Sequence, residues 1–415
     1  MSTSTTPLRF EPALLRELAQ RHGTPLWIYD AATIRARAQS LKSFDTIRFA
    51  QKANSNIHVL RLMRELGVTV DAVSRGEISR ALAAGYAPAD IVFTADVFDR
   101  VTLDTVVAQG IPVNAGSIDM LAQLGARAPG HPVWLRINPG FGHGHSNKTN
   151  TGGEHSKHGI WHGELPGALA AVRAHRLKLV GLHVHIGSGV DYGHLEQVCR
   201  AMVDLAARLD APIEAVSAGG GLSIPYRAGG ATIDTAAYFA SWDAARRELA
   251  AKLGHAVRLE IEPGRYLVAE AGVLLSEVRA VKDQGANHFV LVDAGFNELM
   301  RPAMYGSYHD MTVIPAAGGA PPAPTHSTVV AGPLCESGDV FTQVDGGVVQ
   351  ARLLGEAHVG DLLAIHDAGA YGAAMSSNYN SRPLAAEVLV DGGQARVIRR
   401  RQTIEELLAL EIDAA

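Results

Sequence analysis

Four short stretches bring together side chains with complementary chemistry. Lys52, in FAQKANSN, ends a β-type run and offers a primary amine that can condense with an aldehyde. Gly219, Gly220 and Gly221 close IEAVSAGGG, and bare backbone of that kind lets N–H groups gather around an anion. In EPGR, Glu262 supplies a carboxylate, Gly264 a close backbone approach and Arg265 a planar cation. His183 and His185, in LHVHI, are two residues apart and therefore share one face of a strand. Each has a bland reading when taken alone. Lys52 reads as a rim lysine with a buried stem and a solvated head, and a glycine triplet by itself says little.

The elements around these residues change the weighting. Eight β-type runs lie at 46–53, 69–74, 91–95, 111–116, 133–139, 179–187, 213–221 and 257–265, with helical stretches between them. Eight parallel βα units over roughly 250 residues predict a (β/α)8 TIM-type barrel; a doubly wound sheet is the runner-up. Between the sixth and seventh runs Leu195, Val198, Cys199, Met202, Ala206 and Leu209 recur at helical spacing, which makes Cys199 a core residue. In VRLEIE, Arg258, Glu260 and Glu262 share a face opposite Leu259 and Ile261. Barrel strands bury both faces, so such polar faces need partners or a ligand.

In a barrel of this kind the loops after strands seven and eight form the usual phosphate site, and they hold the glycine triplet and EPGR. Lys52, the phosphate cradle, Glu262 and His185 together suggest pyridoxal 5'-phosphate. Lys52 would hold the aldehyde, Glu262 would keep the ring nitrogen protonated, and His185 would stack on the ring. No complete G-x-x-x-x-G-K-[ST] or G-x-G-x-x-G occurs, so neither a nucleoside triphosphate nor a Rossmann dinucleotide is indicated.

Beyond residue 266 the runs become long and β-rich, with PAAGGAPPAPTHS (315–327) as a Pro/Ala/Gly excursion, and they predict a mostly antiparallel β-domain. The expected division is a barrel over 26–271 and a β-domain over 272–415, joined by the N-terminal segment 1–25 with its helix PALLRELAQRHG. The 415 residues carry 37 Lys plus Arg against 42 Asp plus Glu, a net charge of -5, so no basic excess favours nucleic acid. No apolar run is long enough to span a membrane and the start has no signal-peptide core, so a cytoplasmic protein is expected. Two cysteines, Cys199 and Cys335, exclude a disulfide framework.

The runs FAQKANSN, DAVSRGEI, HVHIGSG, GGGLSIPY, EPGRYLVAEAGVLL, DAGFNELMRPAMYGSYH, GPLCESGDVF and GAYGAAMSSNYNSRP resemble, in order and over nearly the whole chain, the diaminopimelate decarboxylases. These are pyridoxal-phosphate decarboxylases on an alanine-racemase-like barrel. The resemblance implies decarboxylation of meso-diaminopimelate to L-lysine, the last step of lysine biosynthesis. It matches Lys52 to the lysine that carries the cofactor, His185 to the ring-stacking histidine, and Ser188 with Gly219 to Gly221 to the phosphate loops. Glu262 matches the ring-nitrogen partner, with Gly264 and Arg265 beside it. Arg265 and Arg301, helped by Tyr305, match residues that hold a substrate carboxylate. Cys335 and Glu336 match the proton donor and the contact to the distal amino group, and Tyr371 matches a residue that touches both cofactor phosphate and substrate. The resemblance further implies a homodimer whose CES segments complete each other's active sites. A thiol of pKa about 8.5 can donate a proton near neutral pH, which suits Cys335 to that role.

An amino-acid racemase, an ornithine or arginine decarboxylase, and a cofactor-free barrel that binds a phosphorylated ligand are the competing readings. One cysteine donor argues against the two-base racemase, and Arg301 favours a substrate with a distal carboxylate. GFGHGHSNKTNTGGEHSKHGIW (140–161) holds His143, His145, His155 and His158. It reads as a glycine-rich loop closing over the barrel mouth rather than a metal site, and no metal is expected. Asp71 and Arg136 are either inward members of a polar network under the cofactor or an ion pair buried for stability.

Overall fold

The computed structural model describes residues 7–142, 151–187, 192–209 and 212–411. The chain forms two compact units: one comprises 36–223 and 232–267, the other the chain up to residue 35, 224–231 and 268 onward. In the first unit the strands Thr46–Ala50, Thr69–Ala72, Ile91–Ala95, Val113–Ala115, Pro132–Asn138, Lys178–Val184, Ala215–Ser217 and Arg258–Ile261 pair in parallel. The last returns to the first through Glu260↔Thr46 and Ile261↔Ile47, which closes an eight-stranded barrel. All eight expected runs therefore contain strands, six of them shorter than the run, whose end passes into a loop.

Those loops are fixed by helix caps. Asn56 accepts from the His58 N–H at 2.9 Å and caps Ile57–Glu65, while its own N–H donates to Asn54 Oδ1 at 3.2 Å. The turn Gln51–Ala53 that carries Lys52 is thus held from its far side. Ser74 caps Arg75–Ala83, and Glu77 Oε2 accepts from the Val73 N–H at 2.8 Å. Inside the barrel Trp134, Val180 and Ala215 pack together. Gly181 stands among them because any side chain there would strike the Ala215 carbonyl and the Trp134 ring. Cys199 is buried in the helix Tyr192–Ala206, and burial pushes its thiol up to about 12, as suits a core residue.

The second unit is built on the long strand Gly272–Gln284. It pairs antiparallel with Asn287–Val292, Leu362–Ile365 and Leu26–Asp30, and Leu26–Asp30 in turn runs parallel to Ala386–Asp391. The sheet is mostly antiparallel, as expected. The helix Pro12–His22 turns Leu15 and Leu18 into its core beside Leu26, Ile28, Val273 and Val388. The contact division differs from the expected one at residue 26, since Leu26–Asp30 belongs to this sheet and not to the barrel. The run LWIYD is apolar on both faces and needs a neighbour on each side, a pattern that does not specify which sheet provides them.

Candidate active site

Within the barrel unit the chemistry collects at the C-terminal ends of strands one, six, seven and eight. Lys52 is exposed, and its charge acts on Asp71, Glu77 and His185. Gly264 packs against the same turn: a side chain there would lie 3.2 Å from the Ala50 carbonyl oxygen and 3.3 Å from Ala53 Cβ. Arg265 begins the short helix Arg265–Val268 and is buried.

Glu262 is buried and accepts two hydrogen bonds, from His183 Nε2 at 2.8 Å and Ser217 Oγ at 3.2 Å. Burial pushes its carboxyl up. The adjoining His183, its hydrogen bond and Arg48 outweigh burial and hold the group below the usual carboxylate range. An ionised carboxylate only accepts, so His183 Nε2 carries a proton. The other ring nitrogen, Nδ1, is buried and has no hydrogen-bond partner among the described residues. Asp71 moves the other way: burial and the charge of Glu262 raise its pKa, opposed by the Thr94 hydrogen bond and Lys52. Glu260, on the same face one turn of the pleat deeper, is compensated by Arg48 at 2.7 Å. Arg136 is buried, and burial lowers its pKa against the opposing charges of Asp96, Glu262 and Asp71.

The glycine triplet is a cradle in the geometric sense. A side chain on Gly219, Gly220 or Gly221 would collide with the carbonyls of Val184, Glu262 and Gly187 respectively, and Gly219 and Gly221 have φ of +63° and +102°. His185 lies against this backbone, with Cε1 3.6 Å from the position a Cβ would take on Gly220 and on Gly221. Burial, Arg136 and Lys52 push its pKa well down, so the imidazole is neutral and suited to lie flat on an aromatic ring. These residues fit pyridoxal phosphate: a glycine backbone for the phosphate, a buried ionised carboxylate for the ring nitrogen, a neutral ring and a primary amine.

Ser188, His143 and His145 lie outside the described residues, as does the middle of the 140–161 loop. The loop's C-terminal part is tied down: His158 Nδ1 meets Asp96 Oδ2 at 2.8 Å and the Gly159 N–H donates to Asp96 Oδ1 at 2.8 Å. Thr151 Oγ1 donates to the His185 carbonyl at 3.0 Å. The sequence singled out neither Ser217 nor Asp96, and it placed His183 on the right face without giving it a partner.

The second unit holds the remaining candidates. Arg301 is buried; Nη1 donates to His309 Nε2 at 2.8 Å and Nη2 to Ser307 Oγ at 3.2 Å. Tyr305 ends the same short helix, Arg301–Tyr305, and is half-buried. Cys335 and Glu336 are exposed on a turn whose backbone is held by buried Asp339, which accepts from the Leu334 and Phe296 N–H groups at 2.8 and 2.7 Å. The Cys335 N–H donates to Asn380 Oδ1 at 2.9 Å. Tyr371 has φ of +57°, an uncommon conformation for a bulky residue and one met at functional sites.

A barrel with this set of residues defines a class, the pyridoxal-phosphate decarboxylases, and the family model "Pyridoxal-dependent decarboxylase, pyridoxal binding domain" matches residues 31–269. The chain is 64% identical over 403 residues to the diaminopimelate decarboxylase of Escherichia coli K12, covering 96% of each chain. It is 66% identical over 403 residues to that of Streptomyces coelicolor, covering 96% of this chain and 92% of the relative. A solved diaminopimelate decarboxylase superimposes with a TM-score of 0.95 at 63% identity over 99% of both chains. The Helicobacter pylori diaminopimelate decarboxylase, solved with L-lysine, gives 0.86 at 32% identity over 95% of this chain and 98% of that one. The chain belongs to the diaminopimelate decarboxylase family and is a pyridoxal-phosphate-dependent carboxy-lyase.

Proposed function

We propose the residue roles by which this chain converts meso-2,6-diaminopimelate to L-lysine and carbon dioxide, the last step of lysine biosynthesis. When bound, pyridoxal phosphate supplies an electron sink for the pair left on the α-carbon as carbon dioxide departs. Lys52 carries the cofactor, and the N–H groups of Gly219 to Gly221, with Ser188 and Tyr371, hold its phosphate. Glu262 keeps the ring nitrogen protonated, Gly264 gives the backbone room beside Lys52, and His185 covers the ring. Arg265 and Arg301, with Tyr305 and Tyr371, grip carboxylates of the substrate, and Glu336 receives its distal ammonium group. Cys335 delivers the proton that replaces the lost carboxylate, and we assign Cys335 and Glu336 to the site of a second copy in a homodimer. We place the activity in the cytoplasm with the rest of amino-acid synthesis. Among the described residues no helix is long and apolar enough to cross a membrane.

The observation that carries the reading is the buried, ionised Glu262 next to a neutral His185 and a glycine cradle, all at the mouth that also bears Lys52. Borohydride reduction of the holoenzyme followed by peptide mapping tests it without recourse to turnover. The cofactor should be found on the peptide holding Lys52; its recovery on any other lysine would overturn the assignment.

A further inference from the structure

Glu262 and the glycine cradle are joined by a side chain to which no role in the reaction has been given. Ser217 is buried at the end of the strand Ala215–Ser217, level with His183 on strand six and with Glu260 on strand eight. Its hydroxyl accepts from the Gly219 N–H at 3.1 Å and donates to Glu262 Oε1 at 3.2 Å. An N–H only donates and an ionised carboxylate only accepts, so the single hydroxyl hydrogen has one direction, towards Glu262. The main chain repeats the link, since the Glu262 N–H donates to the Gly219 carbonyl at 2.8 Å. Ser217, Gly219 and Glu262 therefore form a closed circuit of three hydrogen bonds. The other carboxylate oxygen, Oε2, accepts from His183 Nε2 at 2.8 Å. Each oxygen has its own donor, and neither can swing without breaking a bond.

We propose that Ser217 is a positioning residue for Glu262: oriented by the Gly219 N–H, its hydroxyl keeps the carboxylate ionised and aimed at the cofactor's ring nitrogen, and ties that end of the site to the phosphate cradle. This rests on the reading that Glu262 meets the ring nitrogen. A proton shared between a carboxylate and a pyridine nitrogen stays with the stronger base, and each hydrogen bond donated to the carboxylate makes it a weaker one. Ser217 thus keeps the proton on the ring, where it supports the electron sink. The arrangement explains why a hydroxyl, and not a second carboxylate, stands beside Glu262: a second negative charge would make Glu262 the stronger base and draw the proton off the ring.

The test uses the holoenzyme loaded with pyridoxal phosphate that is isotopically labelled at the ring nitrogen, whose chemical shift reports whether that atom is protonated. The parent enzyme should give the signal of a protonated ring. In Ser217→Ala the signal should move towards that of the neutral ring, and kcat for meso-diaminopimelate should fall about tenfold, the scale of one hydrogen bond to a charged group. KM should change by less than about threefold, because Ser217 meets the cofactor's partner and not the substrate. Ser217→Thr, which keeps the hydroxyl, should restore the signal and most of kcat. Should Ser217→Ala not fold, Ser217→Cys takes its place, with a smaller displacement in the same direction because a thiol donates weakly. Glu262→Gln is the control for the underlying reading. If it leaves the ring signal in place, the carboxylate is not the ring partner, and the inference falls with that reading. If it moves the signal while Ser217→Ala, or its substitute Ser217→Cys, does not, Glu262 keeps its role and Ser217 is only a cap for the Gly219 N–H.

Discussion

Replacing Glu262 with glutamine changes one atom and separates the two things the carboxylate does. In the fold it accepts from His183 Nε2 and Ser217 Oγ. A glutamine amide can satisfy both neighbours: its oxygen accepts from His183 Nε2 and its nitrogen donates to Ser217 Oγ once the hydroxyl rotates. The charge of Glu262 is also the second cause of the raised pKa of Asp71, so its removal lets Asp71 ionise more readily and limits the change in net charge. Stability should therefore fall by no more than about 2 kcal/mol, the range of one altered buried hydrogen bond. The reaction should suffer far more. A carboxylate about 4 Å from a protonated ring nitrogen contributes roughly 4 kcal/mol at an effective dielectric near 20. A neutral amide forfeits most of this, which corresponds to a rate loss on the order of a thousandfold. Carbon dioxide release from meso-diaminopimelate, measured beside cofactor content and thermal melting, gives the comparison. A glutamine variant that keeps its cofactor and more than about a tenth of normal turnover would refute the reasoning.

Gly220→Ala probes the cradle by volume, because its Cβ would press on the Glu262 carbonyl and touch His185 Cε1; an overpacking cost of about 1–3 kcal/mol should appear as weaker cofactor binding, and unaltered dissociation would exclude the triplet as the phosphate site. His366 tests the pH dependence of the second unit. Burial lowers its pKa from 6.5 to about 4, so the fold favours the neutral ring. Its contribution is complete above pH 6.5 and is lost as pH falls towards 4, on the order of 3 kcal/mol in all. Equilibrium unfolding of His366→Asn should show a smaller loss of stability over that window than the parent chain, and parallel curves would remove His366 as the cause. Mixing Lys52→Ala with Cys335→Ala subunits under exchange should give hybrid dimers with up to about half of the native activity, roughly a quarter for an equal mixture, if two copies share sites, since one of the two composite sites in each hybrid then has both groups; no recovery despite proven exchange would confine each site to one chain.

The barrel was legible because its signal is local: eight apolar runs with polar ends, separated by helical stretches. Glu262, His185 and the glycine triplet were legible for the same reason, as each sits at a strand end where burial and polarity conflict. What the sequence did not disclose depends on contacts across distance. Nothing in LHVHI says that His183 bonds to a carboxylate 79 residues later. The strand Leu26–Asp30 has its partners, Gly272–Gln284 and Ala386–Asp391, more than two hundred residues away.

The most direct measurement follows carbon dioxide released by the cofactor-loaded enzyme from meso-diaminopimelate, L-lysine, L-ornithine and L-arginine at equal concentration. The account expects release from meso-diaminopimelate alone, with the others slower by at least about a hundredfold, because a buried guanidinium deprived of its carboxylate costs on the order of 3 to 5 kcal/mol. Comparable release from ornithine or arginine would contradict it and leave a decarboxylase of broader amino-acid specificity.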